Sequence, residues 1–148
     1  MARKEKLDTN DIGLLLAAIC FNNKPVKGRT RFQKMVFLLK EEYKIPFNFE
    51  FRPYYYGPYS DDFSDVLGLL TALNLTEEKT EYVGVGQTRY NYQLTDKGRK
   101  YVSKFRIRAE EDEQRILEQL KNSIMEINKL KTPELIKKAK SLMATMVH

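Results

Sequence analysis

Between Arg89 and Val102 a strand must become a helix with almost no linker, and this junction constrains the fold more than any other stretch. Tyr90, Tyr92 and Leu94 alternate with polar residues, the period of a half-buried strand. Thr95 places a side-chain oxygen where a helix can start, and Tyr101, Val102 and Phe105 give that helix an apolar face. Just upstream, residues 79–94 read as a hairpin with Gly84 and Gly86 in its turn.

Three helical segments precede this ribbon. In the first, Ile12, Leu15, Leu16, Ile19 and Cys20 recur at three and four, with Thr9 or Asn10 as cap and a break at Asn22–Pro25. The second opens on Thr30 and Gln33 at capping-box spacing. Its residues Phe32, Met35, Val36, Leu38 and Leu39 predict the most buried helix of the chain, with Arg31 and Lys34 on its exposed side. The third starts at the cap Ser60, carries Asp61 and Asp62 in its first turn, and ends near Asn74. Between the second and third, residues 48–56 alternate loosely and predict a strand that Pro53 confines to an edge. An aromatic turn follows: Tyr54, Tyr55, Tyr56, Gly57, Pro58, Tyr59.

Beyond Phe105, the stripe Ile116 or Leu117, Leu120, Ile124, Ile127 and Leu130 steps like a coiled-coil seam. Lys131-Thr132-Pro133 breaks and restarts it, with Thr132 as cap. Leu135, Ala139, Leu142 and Met146 then form the face of a last helix. Residues 9–105 are thus expected to form one α+β domain and residues 106–148 a C-terminal helical arm. The arm either folds back as an antiparallel pair or makes a homodimer with a second copy.

Composition excludes much chemistry. Cys20 is the single cysteine and His148 the single histidine, so disulfides, His- or Cys-based metal sites and catalytic triads are unavailable. Asp61, Asp62 and Asp65 read as favourable helix-start carboxylates, not as a metal set. Val83-Gly-Val-Gly-Gln-Thr lacks the lysine and following helix of a phosphate loop. The expectation is a protein without catalytic activity, metal or cofactor. No apolar run is long enough to span a bilayer, and the charged N-terminal residues lack a signal-peptide layout, so the expected location is cytoplasmic.

The net charge of +6 is clustered. Residues 1–34 and 79–106 are strongly basic, while residues 60–78 carry Asp61, Asp62, Asp65, Glu77 and Glu78 without one Lys or Arg. Clustered positive charge on a basic chain points to phosphate backbones.

The order helix, helix, helix, hairpin, helix, closed by Tyr92-Gln-Leu-Thr-Asp-Lys-Gly, resembles winged-helix proteins, MarR-like and PadR-like regulators among them. Together with Thr30-Arg-Phe-Gln-Lys-Met-Val-Phe-Leu-Leu and Tyr56-Gly-Pro-Tyr-Ser, it resembles the YwgA-like family of small prokaryotic proteins. More distantly it is similar to the Panacea domains of antitoxins. The likeness covers roughly residues 10–105. It implies a winged helix-turn-helix-like core with a two-stranded wing, and little chemistry.

Two functions are expected on this basis. One is DNA binding, in regulation or in a DNA-associated complex. Its contacts would be mainly to phosphates, from Arg3, Lys4, Lys24, Lys27, Arg29, Arg31, Lys34, Arg89, Lys97 and Arg99. The acidic third helix argues against a groove-reading role for that element. The alternative is a protein-interaction module, an accessory subunit anchored through Tyr54, Tyr55, Tyr56 and Tyr59, with no direct DNA contact.

Overall fold

The computed structural model describes residues 9–146, so Arg3, Lys4 and His148 lie outside the described residues. It is α+β: six helices and one three-stranded antiparallel sheet. The order is α1 (Thr9–Asn22), β1 (Val26–Lys27), α2 (Arg29–Glu41), α3 (Asp61–Ala72), β2 (Thr76–Gly84), β3 (Gln87–Leu94), α4 (Asp96–Arg108), α5 (Glu111–Ile127) and α6 (Thr132–Met146).

The hairpin forms as expected. Val85 and Gly86 link β2 to β3, Gly86 takes φ +70, and the register shifts between Tyr82 and Gly84. It is not a free ribbon, because β1 pairs on the other side of β3, with Val26 opposite Tyr92. The central Tyr92 is thereby buried. The strand-to-helix junction is built as its sequence suggests: the Thr95 hydroxyl accepts from the Gly98 amide at 3.0 Å. A Cβ on Gly98 would lie 2.1 Å from the Leu75 carbonyl oxygen. The Thr-x-x-Gly spacing therefore lets α4 approach the end of α3 more closely than any side chain permits.

α1 and α2 are the centre of the core. From Asp11 to Ile19 every residue of α1 is buried, and from Phe32 to Leu39 every residue of α2. A helix that is buried all round needs neighbours on every side. α4 and α5 pack on α1, and α5 and α6 pack on α2. Leu117, Leu120, Ile124, Ile127, Leu135, Ala139 and Met143 join the same core cluster as α1 and α2. The stripe that a second copy would need for a coiled-coil seam is thus covered within the chain.

Three local expectations are corrected. Residues 48–56 form no strand; only Arg52 and Tyr59 make an isolated bridge. Phe47 and Phe49 alternate inward because they fill the core. Side chains meet the polar backbone of this segment in place of a ladder: Asp11 Oδ1 accepts from the Asn48 amide at 3.0 Å, and Asp62 Oδ2 from the Glu50 amide at 3.3 Å. The Thr30–Gln33 capping box is absent, since the cap position of α2 is Gly28, two residues earlier than Thr30, with no side-chain cap. Thr132 does not cap α6; its hydroxyl accepts from Arg31 Nη1 at 3.2 Å.

Candidate functional site

The expected cationic residues divide into three groups. Arg29, Arg89 and Arg99 are held by carboxylates of the same chain: Glu78 at 3.1 Å, Glu81 at 2.8 Å and Asp96 at 2.7 Å. Arg31 and Lys34 are not on an exposed face, which corrects the expectation for α2. The arm covers that face. Arg31 is half-buried and donates to Asn128 and Thr132, and its burial lowers its pKa. Lys34 is 2% exposed. Lys97 donates to the Leu73 carbonyl at 3.1 Å, while Lys27 and Lys24 remain exposed.

Arg29 belongs to a small network. It donates to the Tyr92 hydroxyl at 2.8 Å, and that hydroxyl donates to Glu78. Burial, then the Glu78 carboxylate, push the Tyr92 phenol up to about 12. Burial would raise Glu78, but the hydrogen bonds from Tyr92 and Arg29 outweigh it and hold the carboxyl below its usual range. The cross-strand pair Glu78–Tyr92 thus fixes the guanidinium at the start of α2.

The tyrosines of the aromatic turn are brought together. Tyr54, Tyr55 and Tyr56 are 51%, 84% and 62% exposed, and Tyr59 is partly buried. Their rings form a chain of contacts, Tyr59 to Tyr54 at 5.3 Å and Tyr54 to Tyr55 at 5.7 Å. The Arg52 guanidinium lies over Tyr54 and Tyr59 and reaches Asp61 at 3.1 Å. At the far end of the turn, Gln33 accepts from the Ser60 amide at 2.8 Å and donates to the Ser60 carbonyl at 3.0 Å. Ser60 also caps α3, accepting from Phe63 at 3.0 Å. A buried glutamine on the most buried helix thus pins an exposed aromatic turn.

That clamp has a measurable value. Gln33→Leu leaves the Ser60 amide buried without a partner, which costs about 2 kcal/mol. Urea denaturation should show that loss, with faster amide exchange at Ser60.

Beside the turn lies a cavity of about 340 Å³. Lys34, Arg29, Tyr54, Tyr56, Tyr59 and Tyr92 line it, with apolar surface from Phe63 and Leu67 of α3. Among the described residues Lys34 has no hydrogen-bonding or carboxylate partner. Burial, with some repulsion from Lys140, lowers its pKa from 10.5 to about 8.

The sequence reading named Lys97 but missed three companions on its face of α4. Lys97, Lys100, Lys104 and Arg108 lie at three- and four-residue steps along α4, and all are exposed. The spacing itself was the available signal. Lys100, Lys104 and Arg108 have no ion-pair partner among the described residues.

Among the described residues no group of three or more His, Cys, Asp or Glu is placed to hold a metal ion. No helix among them is long and apolar enough to cross a membrane. When the chain is set beside known proteins, no family model matches it and no curated protein is similar to it.

Proposed function

We propose that this chain is a winged-helix-like protein-interaction module, an accessory or regulatory subunit, that docks a partner on the turn Tyr54–Tyr59. One observation carries the reading: three adjacent tyrosines are held in solvent by a turn whose ends bridge each other at Arg52 and Tyr59 and which Gln33 pins to the core at Ser60. Rigid aromatic side chains lose little conformational freedom on binding and bury large areas, which is why they dominate interface energetics.

The test is capture from the native host. Wild-type protein should retain a specific partner, and Tyr55→Ala with Tyr56→Ala should weaken it at least tenfold with the melting temperature unchanged. Equal capture by both proteins would refute the assignment.

DNA binding is the second reading, and one observation favours it: the exposed basic stripe of α4. Its four cations would meet phosphates without reading bases. A log–log plot of duplex affinity against salt should then have a slope of about −3 to −4. Lys100→Ala with Lys104→Ala should flatten it by about 2. No duplex binding at low salt would remove this reading.

A further inference from the structure

The cavity beside the tyrosine turn holds the one strongly buried cation described above, and nothing in the chain neutralises it. Arg29 and Glu78 both line the space, but they satisfy each other through their ion pair and the shared Tyr92 hydroxyl. The stem of Lys34 runs beneath Gly57, on which a Cβ would lie 3.3 Å from Lys34 Cε and 3.2 Å from Lys140 Cγ. Gly57 takes φ +106, a conformation suited to glycine, so the turn closes directly over the two lysine stems. The excess charge of the cavity is positive.

A second source of positive potential points the same way. Arg29 and Thr30, the first residues of the 13-residue helix α2, line the cavity. No side chain caps this helix, so its opening N–H groups and the positive end of its dipole are available to an anion. Tyr54, Tyr56, Tyr59 and Ser64 add hydroxyl donors, and the tyrosine rings offer flat apolar faces.

We infer that this cavity is a binding site for a nucleoside monophosphate, with the phosphate held by Lys34 and the first turn of α2 and the base laid against the tyrosines. A phosphomonoester fits because lysine acts on phosphate as a point charge and needs no bidentate geometry. The base fits because aromatic rings stack on any nucleobase with little preference for sequence. About 340 Å³ is at the small end of ligand pockets, which suits one nucleotide and excludes a longer chain from lying wholly inside. The site shares Tyr54, Tyr56 and Tyr59 with the turn proposed to dock a partner, whereas Tyr55 does not line it.

Isothermal titration with AMP, GMP, CMP and UMP tests the site, with adenosine, inorganic phosphate and a 5′-phosphorylated oligonucleotide as comparisons. At least one monophosphate should bind in the micromolar to low millimolar range. Adenosine, which lacks the anion, should bind at least tenfold more weakly, as should inorganic phosphate, which lacks the ring. Binding by the phosphorylated oligonucleotide, and not by free monophosphates, would overturn the assignment to a free nucleotide. Lys34→Met should weaken the monophosphate at least tenfold, and Lys34→Arg, which keeps the charge, should retain part of the affinity. If Lys34→Met binds as the wild type does, or if no monophosphate binds at 10 mM, the inference is wrong. Circular dichroism of both variants separates loss of the site from loss of the fold.

Discussion

Removal of residues 107–148 is expected to leave a chain that does not fold. An arm used for dimerisation could be cut away to leave a stable monomer. Here Leu117, Leu120, Ile124, Ile127 and Leu135 are 5% exposed or less and belong to the core around α1 and α2. Burying one such side chain contributes roughly 1.5 to 3 kcal/mol. Losing them together forfeits on the order of 10 kcal/mol, as much as the whole net stability of an ordinary domain. Polar ties go as well: Asn128 donates to Asn22 at 2.8 Å, and Lys138 pairs with Glu42 at 3.2 Å. Circular dichroism and thermal melting of the truncated chain check this. A cooperative transition near that of the full chain would show that α5 and α6 are an appendage after all.

Lys34→Met is expected to stabilise the protein by roughly 1 to 2 kcal/mol at pH 7. The fall of the lysine pKa from 10.5 to about 8, at about 1.4 kcal/mol per pH unit, sets the upper bound, and contact of the ammonium with the open cavity screens it. Methionine keeps the length of the stem and removes a buried charge without a partner, a replacement that is often stabilising. A melting temperature higher by roughly 2 to 8 °C should result.

The pH dependence gives this prediction a signature. Lys34 is a base whose folded pKa is depressed, so the cost of its charge is complete below pH 8. Between pH 8 and about 10 the unfolded chain holds more protons than the folded one, and wild-type stability should rise with pH. Tyr92 bounds the window from above. Its folded pKa is raised from 10 to about 12, so its contribution is present below pH 10 and lost as pH climbs through 12. Urea titrations of wild type and Lys34→Met from pH 7 to 10 should therefore converge, and curves that stay parallel would contradict a desolvated Lys34.

Much of the architecture was written locally. Ser60 and Thr95 cap their helices because a hydroxyl three residues before a free N–H is a complete signal in itself. The apolar density of α2 announced a buried helix, and the Gly84–Gly86 segment announced the hairpin turn.

What was illegible depended on partners far along the chain. Lys34 reads as solvent-facing from the periodicity of α2 alone, because the covering helix α6 begins at Thr132. Gln33 has capping-box spacing from Thr30, yet its amide is used 27 residues away at Ser60. Phe47, Phe49 and Phe51 alternate as a strand would. Their rings pack instead on aromatic neighbours such as Phe63, 5.6 Å from Phe49, and Phe37, 5.3 Å from Phe51. β1, only Val26–Lys27, is too short to carry a period. On the basic face of α4, Lys97 was expected but Lys100, Lys104 and Arg108 were not, although their spacing puts all four on one side.

The proposed docking surface is a turn that α2 pins at Ser60 and that leaves Tyr54, Tyr55 and Tyr56 in solvent. Hydrogen–deuterium exchange of the protein alone and in complex with its captured partner tests this most directly. Protection should concentrate on residues 52–60 and on the neighbouring start of α2. Protection confined to α4 or to the hairpin tip at Tyr82–Val85, with the tyrosine turn exchanging as in the free protein, would contradict it.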